Sequence, residues 1–336
     1  MNHEPITVGN VIAPPGTSVR GGIPIGADMD GGVREIPITV VHGARKGPIL
    51  WINGATHGDE PEGAFSIFLT LAEVDPAKLA GTLVCVPAMN VAAFRAGLRG
   101  DPLDTFSHDM NRIYPGKAEG YPTERVAAAH WAAMKDACDL QINVHSGGEH
   151  SYLAHMIFAH DNAPSMELAA AMGPGWDLVF RSGTGGANPS AAIGGLGKAG
   201  VTVELGGNCR TLTGDFHAIA RDLADGYLNV MRHYRMTEGE ASYAPAWRQG
   251  FQIPLLAPES GMFVGTDGLP FERPLPAGTV LGVIYDLYGD VVAEVKAPRE
   301  GVVFGLRSRP SVLAGQWCCF FGVVEKTVDD LIVRPS

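Results

Sequence analysis

The sequence predicts an α/β protein, a mostly parallel or mixed sheet flanked by helices, followed by a small all-β domain. Three observations carry this. Short apolar runs rich in β-branched residues alternate with longer segments whose apolar residues recur at helical spacing. Polar landmarks fall at the ends of those short runs, where open α/β sheets gather their functional groups. After about residue 245 the helical pattern stops, and only β-like runs split by Gly and Pro remain.

Residues 35–42, EIPITVVH, alternate and branch at Cβ like a strand. PILWING (48–54) is a short apolar run closed by Gly and predicts a buried strand. Asp59 then offers a helix N-cap, Pro61 sits near the first helical position, and EGAFSIFLTLAEV continues as a helix. TLVCVP (82–87) is another buried-strand segment, and PTERVAAAHWAAMKDA (122–137) starts with Pro and carries apolar residues at helical spacing. LQINV (140–144) and VTVEL (201–205) read as strands. Residues 215–235 read as a helix, with Phe216, Ile219, Leu223, Tyr227 and Val230 on one face. This divides the chain into an α/β domain at 1–245 and a β domain, barrel-sandwich-like, at 246–336. Within the latter, APESGMF (257–263) and APREGVV (297–303) echo each other and suggest two similar hairpin units packed together.

The composition excludes several classes of function. A net charge of −11 argues against a general nucleic-acid or anionic-membrane partner. The five cysteines, Cys85, Cys138, Cys209, Cys318 and Cys319, are scattered, odd in number and without a CxxC pair, so neither a disulfide framework nor a cysteine-rich zinc site is expected. The N-terminus lacks a basic stretch followed by an apolar core, and no apolar run approaches the roughly 18–20 residues of a membrane span. The expectation is a cytoplasmic protein without a membrane partner. Its oligomeric state is open, and a homo-oligomer is compatible with the sequence.

Within NGATHGDEPEGA (53–64), His57 and Glu60 stand three residues apart where an apolar run ends. A turn needs neither, whereas a metal ion can use both. Zinc catalysis commonly takes three protein ligands and leaves a position for water. His145, in NVHSGG, follows another apolar run, and Gly147 and Gly148 let the backbone turn closely. The spacing alone is unspecific, and each histidine has a plain alternative as a hydrogen-bonded core residue. His150, His155 and His160 recur every five residues, which matches neither a helix nor a strand face, and are read as surface and supporting residues. Glu204 ends a buried strand, where a carboxylate needs a partner or a task. It is a general base for metal-activated water, the cap of a turn or the partner of an arginine. RSGTGGANPSAAIGG (181–195) lacks the context of a nucleotide loop and is expected to be a mobile loop by the site. Its Arg181 either reaches a second substrate charge or lies on the surface.

Taken in order, GATHGDEPEG, PAMNVAAFRAGLRGDPLDTFSHDMNRIYPG, NVHSGG and VTVELGG resemble the succinylglutamate desuccinylase/aspartoacylase family, relatives of the zinc carboxypeptidases. The resemblance spans about residues 35–335. It implies a carboxypeptidase-like α/β fold with an appended β domain, and one Zn²⁺ per chain held by His57, Glu60 and His145. It implies that Glu204 is the catalytic carboxylate and that Arg99, in GLRGD, polarises the scissile carbonyl. Asn111 and Arg112, in DMNR, match the pair that grips a substrate carboxylate, a task the guanidinium fork suits. The interval GDPLDTFSH looks longer than in compact family members and is expected to loop near the pocket mouth, with Arg95 the alternative to Arg99. EVKAPREGVV resembles a biotinyl or lipoyl carrier domain, but the turn holds Asp290 and no lysine, which rejects a swinging arm. The expected activity is hydrolysis of the amide of a small N-acyl substrate bearing a carboxylate. A metallocarboxypeptidase acting on short peptides and a non-catalytic zinc-stabilised binding protein are the alternatives.

Overall fold

Twelve strands hydrogen-bond side by side in the main sheet of this computed structural model, which describes residues 4–182, 187–208 and 214–331. The segment 183–186 of the glycine-rich stretch, and Cys209, lie outside the described residues. At the centre, Ala199–Gly207, Leu140–His145, Arg45–Asn53 and Ala80–Val86 run parallel. Antiparallel strands complete that end of the sheet: Val33–His42 beside Ala80–Val86, then Thr17–Ala27 at the edge.

The central strands read as continuous apolar runs because both of their faces are covered. Leu50, Ile52, Leu83 and Ile142 face one layer with Ile67, Leu223 and Tyr227 from helices Glu62–Glu73 and Gly214–His233. Trp51, Val84 and Val86 face the other with Val126, Ala127 and Met134 from helix Pro122–Met134. Phe216, Ile219, Leu223, Tyr227 and Val230 are all buried, as the single-face pattern predicts.

The other side of the sheet departs from a simple α/β plan. Ser151–His160 runs antiparallel to Ala199–Gly207 and parallel to Leu178–Ser182, which in turn pairs in parallel with Trp247–Leu256. Trp317–Val328 and Gly301–Arg307 follow antiparallel, so strands from beyond residue 245 extend the same sheet. Beside it stands a four-stranded sheet in the order Val291–Lys296, Val280–Tyr285, Gly261–Gly265, Ser311–Val312. The two echo segments thus lead into strands of different sheets, Gly261–Gly265 and Gly301–Arg307, and those strands approach at Gly265, where an added Cβ would lie 2.5 Å from Leu306. The described part of 246–336 contains strands and no helix.

Several local expectations are corrected. Helix Glu62–Glu73 is preceded by Pro61 at the cap position, not Asp59, whose carboxylate instead accepts from the Glu149 N–H at 3.1 Å. The helix expected at 122–137 ends at Met134. The stretch 181–195 is not one loop: 181–182 close a strand, and Asn188 caps helix Pro189–Gly195 by accepting from Ala191 N. Strand Ser151–His160 was hidden by its three neighbouring histidines. It is legible in retrospect from SYLAHMIFAH, an apolar ten-residue run. No helix among the described residues is long and apolar enough to cross a membrane.

Candidate functional site

Parallel register brings the polar strand ends together. Asn53 lies opposite Asn143, and Glu204 opposite His145. The chain leaving Asn53 turns through Gly54 and Ala55 (φ +43°) into the loop that carries His57 and Glu60. Gly58 packs against the backbone of helix Val91–Ala96, where an added Cβ would lie 2.0 Å from Ala93 C, so only glycine fits. After His145, Gly148 turns at φ +55°, and a Cβ there would strike the Asp59 carboxylate at 2.3 Å. The expected close turn is thus present, and it is what lets Asp59 reach the Glu149 N–H.

His57, Glu60 and His145 are buried and converge. Their candidate ligand atoms all lie within 4.8 Å of one another. Both imidazoles turn Nδ1 to Glu60, His57 at 2.7 Å from Oε1 and His145 at 2.6 Å from Oε2. Burial alone would push the Glu60 carboxyl up, but the two imidazoles hold it well below the usual carboxylate range. Burial lowers both histidines. At His57 the carboxylates of Glu60 and Asp109 outweigh it and the net shift is upward, whereas at His145 burial prevails.

The donor set fits a divalent cation on its outer contacts too. A metal-bound imidazole needs its second nitrogen held by an acceptor. His57 Nε2 has one, Asp109 Oδ1, at 3.1 Å. At His145 Nε2, Asn143 presents Nδ2 at 2.9 Å, because its oxygen is taken by Asn53 at 2.6 Å and Thr56 at 3.1 Å. Asn111 also places Nδ2 there, at 3.1 Å, while its Oδ1 is buried with no hydrogen-bond partner. Half a turn of the Asn111 amide brings an acceptor to Nε2, as His145 ligating through Nδ1 requires, and Asn143 must then withdraw its Nδ2 from the same nitrogen.

The site opens into a cavity of about 520 Å³, a size suited to a small molecule. Its lining includes Glu204, Arg99, Asn111 and Arg112 together with the three candidate ligands. Burial pushes the Glu204 carboxyl well up, the Glu60 carboxylate adds to this, and Arg99 opposes it. Arg99 places Nη1 3.7 Å from Glu60 and donates through Nε to Asp109 at 3.0 Å. Burial would lower its pKa, but Glu60 and Asp109 raise it, so the guanidinium stays charged. Arg112 is mostly exposed, with Nη1 3.9 Å from Asp109. Arg95 is exposed on its helix and does not line the cavity, whereas Arg99 does.

Two segments stay out of the cavity wall. Arg181 is not brought to the site: it pairs with Asp161 at 3.5 Å and lines a separate cavity with Glu167 and Lys326. Residues 100–108 do not line the site cavity either. Asp104 gathers that loop, accepting from Phe106 N, Ser107 N and Ser107 Oγ, and pins it to the start of helix Pro122–Met134 through Thr123 N. Among the described residues, 187–197 contribute nothing to the lining.

The sequence reading missed Asp109, which joins His57, Arg99 and Arg112 and also accepts from Asn111 N at 3.0 Å. Burial opposes its ionisation, but His57 and the arginines hold its pKa far down. It missed the buried ladder Gln141–Asn53–Asn143 that backs His145, for which two amides inside an apolar strand are the signal. Glu62 went unnoticed as well. It accepts from Ser146 Oγ and Gly207 N, and burial pushes its carboxyl up to about 7.

The succinylglutamate desuccinylase/aspartoacylase catalytic domain matches residues 46–234, more than half of the chain. The chain belongs to this family. A family relative from Halomonas elongata, N-alpha-acetyl-L-2,4-diaminobutyric acid deacetylase, is 29% identical over 325 residues, covering 92% of this chain and 91% of its own. Among solved family structures, a succinylglutamate desuccinylase from Silicibacter sp. TM1040 superposes with a TM-score of 0.78 at 26% identity, covering 97% of this chain and 100% of that one. The product-bound ectoine utilization protein EutE (DoeB) from Ruegeria pomeroyi gives 0.78 at 27% identity, covering 91% and 95%.

Proposed function

We propose that this member of the family is a zinc-dependent deacylase that hydrolyses the amide of an N-acyl amino acid or a similar small N-acyl amine. The observation that carries the reading is the convergence of two imidazoles and a carboxylate within 4.8 Å, in a cavity also lined by Glu204 and Arg99. The relatives' names point the same way, since one is a deacetylase and another a desuccinylase. Two histidines and one glutamate form a donor set that suits zinc. When bound, the ion would supply an acidified water and polarise the carbonyl.

The chain's own groups do the rest. Glu204 takes a proton from the attacking water as the C–O bond forms to give a tetrahedral adduct, and returns it to the departing nitrogen as the carbonyl re-forms and the C–N bond breaks. Burial raises its pKa, which favours the carboxyl form that delivers the proton to nitrogen. Arg99 faces the negative charge that grows on the carbonyl oxygen. Arg112, exposed at the cavity edge, and Asn111 take the substrate carboxylate.

The direct test is a panel of N-acetyl, N-succinyl and N-formyl amino acids and short peptides, with elemental analysis of the purified protein. We expect one zinc per chain, amide hydrolysis within the acyl series, loss of activity on chelation and recovery with Zn²⁺. Cleavage of peptides alone would make the protein a carboxypeptidase, and binding without turnover in the presence of zinc would make it a binding protein. A second expectation concerns Asp109. Asp109→Ala frees His57 Nε2 and should weaken zinc about 10- to 100-fold. Competition against a chromophoric chelator measures this, and unchanged affinity would remove Asp109 from the site.

A further inference from the structure

The strands that complete the cavity close on themselves. Ser151–His160, Leu178–Ser182, Trp247–Leu256, Trp317–Val328 and Gly301–Arg307 pair in that order, and the last pairs back onto the first, with Gly305 opposite Leu153. Met156, Leu178, Phe180, Val302 and Phe304 pack together as a cluster drawn from three of these strands. Met156 lies directly opposite Glu204 across the ladder, so the ring abuts the carboxyl assigned to proton transfer. The far wall of the cavity is therefore Met156, Phe158, Phe304, Trp317 and Phe320, with Gln252 as its amide.

Three aromatic rings in that wall form a column. Trp317 stacks on Phe320 with centroids 4.3 Å apart and planes at 13°, and Phe320 stacks on Phe304 at 6.0 Å and 13°. Trp317 and Phe320 also line a second cavity of about 440 Å³ with Pro254 and Leu256. A group lying on this column thus has room to continue outward. Charge decides what kind of group. The acids described in the first cavity are Asp59, Glu60 and Glu204, none of them carried by a strand of the ring, and the second cavity contains Arg307 and no acid. A cationic substituent finds no described carboxylate there, whereas an uncharged planar one finds aromatic surface.

Resting on the deacylase reading, we infer that the preferred substrate carries an apolar, aromatic group on one side of its amide, held against Trp317 and Phe320. This differs from the acetyl and amino substituents named for the Halomonas relative. The group is either the acyl substituent or the amino-acid side chain, and the two are separable by experiment.

The test compares kcat/KM for N-benzoylalanine and N-acetylalanine, which probe the acyl side, and for N-acetylphenylalanine and N-acetylalanine, which probe the side chain. Nα-acetyl-2,4-diaminobutyrate is the cationic comparison. We expect the aromatic member of one pair to be favoured at least about tenfold. Trp317→Ala should erase about tenfold of that preference, chiefly through KM, and Trp317→Phe should restore most of it. The inference is overturned if the diaminobutyrate compound is the best substrate and neither pair discriminates, or if the preference survives Trp317→Ala. Calorimetric binding of the same compounds to the Glu204→Gln protein separates the two readings. Tight aromatic binding with no turnover of any compound by the wild type would sink the deacylase assignment and keep this one. Equal binding of aromatic and acetyl compounds would sink this one whatever the turnover.

Discussion

Glu204→Gln should lower kcat by about 10²- to 10⁴-fold, the range set by losing a positioned acid–base group, while zinc content stays at the wild-type level. The substitution preserves shape and removes only the ability to gain and release a proton. The candidate metal ligands are elsewhere, on His57, Glu60 and His145, so the metal should remain. The structure contains two deeply set carboxyls with raised pKa near the site, and geometry chooses between them. Glu62 has both oxygens engaged, one by Ser146 Oγ at 2.7 Å and the other by Gly207 N at 2.8 Å, and it does not line the cavity. Glu204 does line it, and stands beside His145 in the ladder. Single-turnover kinetics with elemental analysis provide the measurement. A variant that hydrolyses at the wild-type rate would return the proton-transfer role to another group.

How much of this was legible beforehand depends on where the physical signal resides. The central strands announce themselves because both faces are buried, which leaves runs such as LVCV and ILWI with few polar interruptions. His145 and Glu204 stand out for the same reason, as polar residues at the ends of such runs. His57 and Glu60 follow from a loop richer in ligating side chains than a turn requires. Asp109 gave no comparable signal: an acid in a loop is ordinary, and only the fold reveals that His57 and Arg99 meet at it. Arg181 shows the converse error, since an arginine near glycines looked available for substrate but the strand that carries it delivers it to Asp161. The aromatic wall was out of reach for a topological reason. Met156 and Trp317 are far apart in sequence, and they share a cavity only because the late strands close back onto Ser151–His160.

The largest expected effect on stability lies away from the site, at His130. Its imidazole is fully buried, accepts from Trp51 Nε1 at 3.0 Å through Nε2, and therefore carries its proton on Nδ1, 2.9 Å from Tyr114 Oη. Every group in that chain is neutral, and burial pushes the His130 pKa down to about 3. An unfolded chain titrates this side chain near 6.5. Above that pH neither state holds the extra proton, and the neutral pairing contributes in full. As pH falls below about 6.5 the unfolded chain takes up a proton that the folded chain refuses, so stability declines until the folded side chain itself titrates near 3. Linkage over that window amounts to roughly 4–5 kcal/mol, of which about 2–3 kcal/mol should be lost by pH 4.5. Urea unfolding of metal-stripped protein at pH 7 and pH 4.5 would measure the loss. His130→Gln offers an amide to the same two partners and cannot titrate, so its stability should fall less between those pH values, by about the His130 share. If the variant and the wild type lose stability equally, His130 is not the group being protonated, and the buried Trp51–His130–Tyr114 chain has no part in the acid sensitivity of the fold.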